Sequence, residues 1–380
     1  MKSTLVSVGS RRLRRGVVPA SMAVLALALT GCGAANDSSG GDAGDDSTDA
    51  ATSLSGTLNG GGSSAQEAAQ GVWRAGFQGD NPDVTVNYDP VGSGTGRENF
   101  ISKAYSFAGS DSALSTDEGE LDAAKERCGG EDPIEVPAYV SPIAVVFNLD
   151  GVDELNLAPE TIAQIFDGKI TKWNDPAIAA TNPDSDLPDT AITPVHRSDD
   201  SGTTKNFTDY LSKAAGGAWS YDADSIWPIQ SGEAAEGTSG LVAAVKSGAG
   251  AIGYADESQA GGLGIAAIGV GSEFNKPSAE GAAMVVAGSP RTEGRADVDM
   301  AIDIDRTISD SGAYPLLLTS YLIACQHYDD ADEAALVKGF LSYAVSDAGQ
   351  QAAADQAGSA PLDADLASEA AGIVDKIAAK

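Results

Sequence analysis

From residue 54 onward, apolar side chains follow two rhythms that take turns along the chain. Short runs at 54–58, 83–88, 105–108, 192–196 and 250–254 are continuously apolar or alternate as Val84, Val86 and Tyr88 do, which is strand spacing. Between them apolar residues recur every three or four positions: Ala69, Trp73, Gly76 and Phe77; Phe100, Ile101 and Ala104; Phe207, Tyr210, Leu211 and Ala214; Val242 and Val245. That spacing predicts amphipathic helices. A short helix at 158–166 carries Pro159 in its first turn, and 333–345 and 366–379 read as closing helices. Two runs are longer. Residues 134–148 form a β-like run interrupted by Pro137 and Pro142, and 314–325 begins at Tyr314-Pro315. Strands of that length can leave one domain and enter another. Alternation without an internal repeat predicts an α/β fold. The two long runs predict two α/β lobes joined by crossing hinge segments, with 54–140 plus 313–380 as lobe I and 141–312 as lobe II.

The junctions between strand and helix share a chemistry. Asn59-Gly60-Gly61-Gly62-Ser63-Ser64 follows the first strand, and Ser64 stands three residues before Glu67 at capping-box spacing. Val91-Gly92-Ser93-Gly94-Thr95-Gly96-Arg97-Glu98 follows the second, with Thr95 and Glu98 at the same spacing. His196-Arg197-Ser198-Asp199-Asp200-Ser201-Gly202-Thr203-Thr204 follows the run at 192–196 and puts Ser201, Gly202 and Thr203 at the first turn of the next helix. Backbone N–H groups there lack intrahelical partners and carry the positive end of the helix dipole. A glycine admits a ligand to the backbone, hydroxyls add donors, and Arg197 supplies a planar charged fork, so the stretch reads as an anion cradle. Gly109-Ser110-Asp111 places a carboxylate at the end of another extended segment.

Composition changes the picture at the N-terminus. Arg11, Arg12, Arg14 and Arg15 precede an apolar stretch at 17–29 that is too short for a comfortable span, and Leu29-Thr30-Gly31-Cys32 follows. This tetrad looks like a lipobox: a signal peptide over 1–31, removed before a lipidated Cys32. Residues 33–52 lack any large apolar side chain, so 32–53 reads as a flexible tether to a membrane surface. The chain has 23 basic and 55 acidic residues, a net charge of −32. Removing 1–31 takes away five basic and no acidic residues, leaving 18 against 55, or −37. This balance excludes nucleic acid as a partner and a basic membrane-docking face. Cys128 and Cys325 remain as an even pair, either disulfide-bonded or two buried thiols. With His196 and His327 they are too few and scattered for a metal site, and no cofactor motif is present.

Taken together, these residues resemble the extracytoplasmic phosphate-binding proteins of bacterial phosphate ABC transporters, the PstS family. The markers are Gly60-Gly61-Gly62-Ser63-Ser64-Ala65, Val91-Gly92-Ser93-Gly94, Phe107-Ala108-Gly109-Ser110-Asp111, Ile165-Phe166-Asp167-Gly168-Lys169-Ile170-Thr171-Lys172-Trp173, the Arg197 to Thr203 stretch, Gly250-Ala251-Ile252-Gly253-Tyr254 and Ala313-Tyr314-Pro315. The resemblance implies a type II periplasmic-binding-protein fold that encloses inorganic phosphate between lobes and hands it to a membrane permease. It implies ligand contacts from Ser64, Ala65, Ser93 and Asp111 in lobe I and from Arg197, Ser201, Gly202 and Thr203 in lobe II, with Asp199 pairing the arginine. It also implies a lipid-anchored monomer, with hinges near 137–142 and 313–317. Many members carry Thr-Phe where this chain has Ser64-Ala65, so the hydroxyl is kept and the wall beside it is smaller. Phosphate retains a proton near neutral pH and sulfate does not, so Asp111 would accept a hydrogen bond from one and repel the other.

Other functions fit less well. A receptor for another oxyanion, or a signalling or adhesion lipoprotein, would use the same fold. His196, Asp199 and Ser201 suggest a hydrolase on paper, but neighbours in one turn rarely form a triad and no Gly-x-Ser-x-Gly elbow is present. No catalytic residue is expected, and a phosphatase is disfavoured.

Overall fold

The computed structural model describes residues 53–380. The leader at 1–31, Cys32 and the tether up to residue 52 lie outside the described residues. The main sheet runs, in spatial order, Val84–Asp89, Gly56–Gly62, Phe107–Ser110, Leu317–Ala324, Ile134–Phe147, Ala251–Asp256, Thr193–Arg197 and Glu233–Ala235. The first three are parallel to one another, as are the last three, and the two long strands between them run antiparallel to their neighbours.

Ile134–Phe147 is the hinge of this arrangement. It is buried along its whole length. Residues up to Pro142 pair with Leu317–Ala324, and from Ile143 onward the partner is Ala251–Asp256. The prolines do not interrupt the strand. The register slips by one residue where Tyr139 pairs Ser320 and Pro137 pairs Tyr321, so a bulge absorbs the missing N–H of Pro137. The molecule is an α/β fold of two lobes joined by these two crossing strands.

The helices form where apolar spacing predicts them. Glu67–Asp80 buries Ala69, Gln70, Trp73 and Phe77, and Gly202–Ala214 buries Phe207, Tyr210 and Leu211. Several boundaries differ from the expectation. The three glycines at 60–62 lie inside the first strand, paired with Phe107, Ala108 and Gly109, and the turn comes after them. Gly62 has φ 139°, and a Cβ there would lie 2.0 Å from the Gly109 carbonyl oxygen, so this close approach of two strands requires glycine. The capping box at Ser64 and Glu67 does not form: Ser63 accepts from the N–H groups of Ala65 (3.1 Å) and Gln66 (3.2 Å) instead. Thr95 is not a cap either, because the glycine turn starts that helix two residues earlier, at Ser93. The last helix ends at Val374, and Ala378–Ala379 then pairs with His327–Tyr328.

Cys128 and Cys325 are bonded, with Cα atoms 5.3 Å apart. They tie the end of helix Glu120–Arg127 to the end of strand Leu317–Ala324.

Candidate functional site

In parallel sheets, ligands collect beyond the carboxyl ends of strands. Four helices start there. Glu67–Asp80, Ser93–Ile101, Gly202–Ala214 and Gly237–Ser247 follow strands ending at Gly62, Asp89, Arg197 and Ala235 respectively. The first turns of the second and third meet across the cleft: a Cβ on Gly202 would lie 2.6 Å from Ser93 Oγ and 2.8 Å from Asp111 Cβ. Only a glycine lets the cradle helix come this close.

Asp111 sits at the centre and is 3% exposed. Its Oδ1 accepts from Ser63 Oγ (2.5 Å) and Ser320 Oγ (2.6 Å), and its Oδ2 accepts from Thr203 Oγ1 at 3.0 Å. The backbone is held as firmly: Asp111 N–H donates to Ser93 Oγ (3.1 Å), and Asn206 Nδ2 donates to the Asp111 carbonyl (2.6 Å). Three hydroxyl donors on one carboxylate fix its orientation and bring strand Leu317–Ala324, the first glycine turn and the cradle helix to one point. Ser93 Oγ accepts one bond here, and Ser201 Oγ accepts one from Thr204 N–H (3.1 Å), so each hydroxyl keeps its proton available to donate.

Arg197 forms the other side. Its Nε donates to Asp199 Oδ1 at 2.7 Å and its Nη2 to Asp199 Oδ2, a bidentate pair that locks the guanidinium plane. Its Nη1 donates to Thr238 Oγ1 at 3.3 Å. Burial pushes the Asp199 carboxyl up, but the hydrogen bonds and charge of Arg197, with the Gly237 N–H, outweigh it and hold the group below its ordinary range. Ser64 Oγ shares a hydrogen bond with Thr238 Oγ1 (3.0 Å) and accepts from Thr238 N–H (3.1 Å). Gln259 Nε2 donates to the Ser64 carbonyl at 2.8 Å.

The structure therefore brings Asp111, Ser93, Gly202 and Thr203 into one cluster, and joins Ser64 to Arg197 through Thr238. Ser201 caps the cradle helix, and the Ala65 N–H is turned toward Ser63. Three participants had no role assigned from sequence. Ser63 and Ser320 hold Asp111, and Thr238 joins Ser64 to Arg197. Ser63 lies in the first glycine turn beside Ser64, and Thr238 had a local signal in Glu236-Gly237-Thr238, a fourth glycine and hydroxyl at a helix start; Ser320 had none.

His196 is engaged elsewhere. Its ring stacks on Trp227 with centroids 5.0 Å apart, and Nδ1 lies 2.9 Å from the Arg197 carbonyl. With Asp199 committed to Arg197 and Ser201 to a helix cap, none of these contacts assembles the three into a proton relay. Among the described residues, no group of three or more His, Cys, Asp or Glu is arranged to hold a metal ion, and no helix is long and apolar enough to cross a membrane.

Comparison with known proteins places this geometry in context. Residues 47–348 match the PBP superfamily domain. The phosphate-binding protein PstS2 of Mycobacterium bovis (strain BCG / Pasteur 1173P2) is 35% identical over 370 residues, covering 96% of this chain and 99% of that one. Phosphate-binding protein PstS 3 of Mycobacterium tuberculosis (strain ATCC 25618 / H37Rv) is 37% identical over 374 residues, with 96% and 99% covered. Among solved structures, a high affinity periplasmic phosphate-binding protein bound with phosphate superposes with a TM-score of 0.68 over 82% of this chain and 92% of its own, at 21% identity.

Proposed function

This chain belongs to the PBP superfamily and, within it, to the PstS family of phosphate-binding proteins, and on that premise we propose that it captures inorganic phosphate between its two lobes and delivers it to the membrane permease of an ABC transporter. The observation that carries the reading is the meeting of helix starts at Ser93 and Gly202 with a buried carboxylate, Asp111, in a chain whose third glycine-rich junction also holds an arginine fixed by Asp199. Donors alone would suit any oxyanion. A carboxylate among them suits one that brings a proton of its own.

In this reading lobe I comprises 54–140 with 313–380 and lobe II 141–312. The first lobe supplies Ser64, Ser93, Asp111 and the Ala65 N–H, which would have to exchange its bond to Ser63 Oγ for one to the ligand; the second supplies Arg197, Ser201 and the N–H groups of Gly202 and Thr203. The protonated oxygen of phosphate takes the place of Thr203 Oγ1 as donor to Asp111 Oδ2. The chain acts as an extracytoplasmic monomer held at the membrane through a lipid on Cys32, without metal or cofactor, and it catalyses no reaction. Calorimetric titration with phosphate, sulfate, arsenate and molybdate tests this. Tight binding of phosphate and arsenate, which both carry a proton, with sulfate and molybdate silent, is the expected result. Equal binding of sulfate would refute the role given to Asp111.

A further inference from the structure

Asp200, next to the arginine-pairing Asp199, has no part in the site as built so far. Its surroundings come from the opposite lobe. The Asp200 carbonyl accepts from Gly94 N–H at 3.1 Å. Its Oδ1 lies 3.7 Å from Arg97 Nη2 and is buried without a hydrogen-bond partner in the protein. A Cβ on Gly94 would lie 2.0 Å from the Asp200 carboxyl carbon and 2.3 Å from each of its oxygens, and no other group comes within the three nearest. Arg97 is 1% exposed and otherwise committed to Glu120 Oε1 (2.9 Å), Ser110 Oγ (3.0 Å) and Ser112 Oγ (3.0 Å), so its position is fixed by its own lobe.

From these contacts we infer that Asp200 is an affinity-setting latch: its carboxylate docks on the first turn of helix Ser93–Ile101 and on Arg97 when the lobes close, and it slows ligand release without touching the ligand. The inference rests on the two-lobe binding function proposed above. A carboxylate at a helix start and beside a guanidinium is favoured by both the dipole and the ion pair. Since the partners belong to opposite lobes, the contact exists only in the closed state, and it shifts the opening equilibrium by its full differential strength. Gly94 is the counterpart. It lies in a helix, where alanine is otherwise the better residue, yet its missing side chain is what makes room for Asp200.

The test is a double-mutant cycle read by stopped-flow release of phosphate. Asp200→Asn is expected to raise the dissociation rate about 5- to 20-fold, within the range of such coupling energies, while the association rate stays within about twofold. Gly94→Ala should raise it at least as much, because the methyl group meets the carboxylate. The Gly94→Ala/Asp200→Ala double variant lacks the three atoms nearest the new methyl group, so its rate should approach that of Asp200→Ala alone. Circular dichroism of each ligand-free variant checks that the fold is kept. Unchanged release in Asp200→Asn, or a Gly94→Ala defect that is undiminished in the double variant, overturns the latch. Should the wild type take no phosphate, the binding function fails separately, and the latch is then decided by small-angle scattering. A larger radius of gyration in Gly94→Ala than in wild type supports it, and equal radii reject it.

Discussion

At the scale of single residues, the selectivity proposed for the cleft rests on Asp111. Its carboxylate already receives Ser63, Ser320 and Thr203 as donors, so it is an acceptor at every contact. An oxyanion without a proton would bring only acceptor oxygens against it. Asp111→Asn keeps the shape but replaces one acceptor with a donor amide. Phosphate binding is expected to weaken by about 2–5 kcal/mol, the cost of removing one partner of a buried charged hydrogen bond, and sulfate should bind measurably for the first time. Calorimetry with both anions reads the two changes, and a variant that still ignored sulfate would remove Asp111 from the selectivity argument. Much of this cluster was legible in the sequence, because Ser64, Ser93, Asp111 and the Arg197 to Thr203 stretch each sit where a strand gives way to a turn or helix. Ser320 was not. It lies mid-strand in an apolar run, and it reaches Asp111 only because Leu317–Ala324 lies beside Phe107–Ser110, with Tyr321 opposite Ser110, a neighbour relation that no local pattern encodes.

At the scale of elements, the strongly periodic segments were readable and the weakly periodic ones were not. Helix Asp347–Ala357 buries only Gly349, Gln350, Ala353 and Ala357, too little apolar contrast to show a stripe. Helix Glu120–Arg127 buries Ala124 alone. The small sheet of Asn156–Leu157, Ala267–Val270 and Glu273–Asn275 has strands too short to show a period. Glu120–Arg127 therefore owes its place to other bonds. Arg127, at its end, donates from Nε to the Phe100 carbonyl at 3.0 Å, and Cys128 ties it to Cys325 across 197 residues of chain. Replacing both cysteines with serine is expected to lower stability by about 2–5 kcal/mol, since the link restricts the unfolded chain over a long loop. Urea unfolding of oxidised and reduced protein checks it: coincident midpoints would show that the bond contributes nothing. Asp256 gives an element-scale prediction with a pH sign. It ends strand Ala251–Asp256 and accepts from Tyr139 Oη at 3.0 Å on the crossing strand. Burial raises its carboxyl to about 7, against hydrogen bonds from Ser258, Ser141 and Tyr139 that lower it, and the charge of Asp111 adds to the rise. The native state then holds a proton that the unfolded chain releases near pH 3.9, so this group's stabilising share is complete below that pH and is lost as pH rises to about 7. Asp256→Asn should therefore melt higher than wild type at pH 8 and lose that advantage by pH 4. A melting difference that does not vary with pH would mean that Asp256 titrates near its ordinary value.

At the scale of the whole molecule, an acidic protein is asked to collect an anion. The 380-residue chain carries −32, and −37 without its first 31 residues. The forces of the proposed site are short-ranged: backbone dipoles at two helix starts, hydroxyl donors, and Arg197, which Asp199 pairs. The force that opposes its approach is long-ranged, and salt screens it over about 30 Å at 0.01 M but only about 10 Å at 0.1 M. The two therefore separate kinetically. Raising salt from 0.01 to 0.15 M should increase the phosphate association rate several-fold, the reverse of the usual fall for electrostatically steered encounters, and leave the dissociation rate nearly constant because the closed site excludes the ions. Stopped-flow measurements across that range decide the point. An association rate that fell with salt would mean that the local field of the cleft, with Arg197 and the helix starts, overrides the net charge of the protein at the distances where phosphate commits to binding.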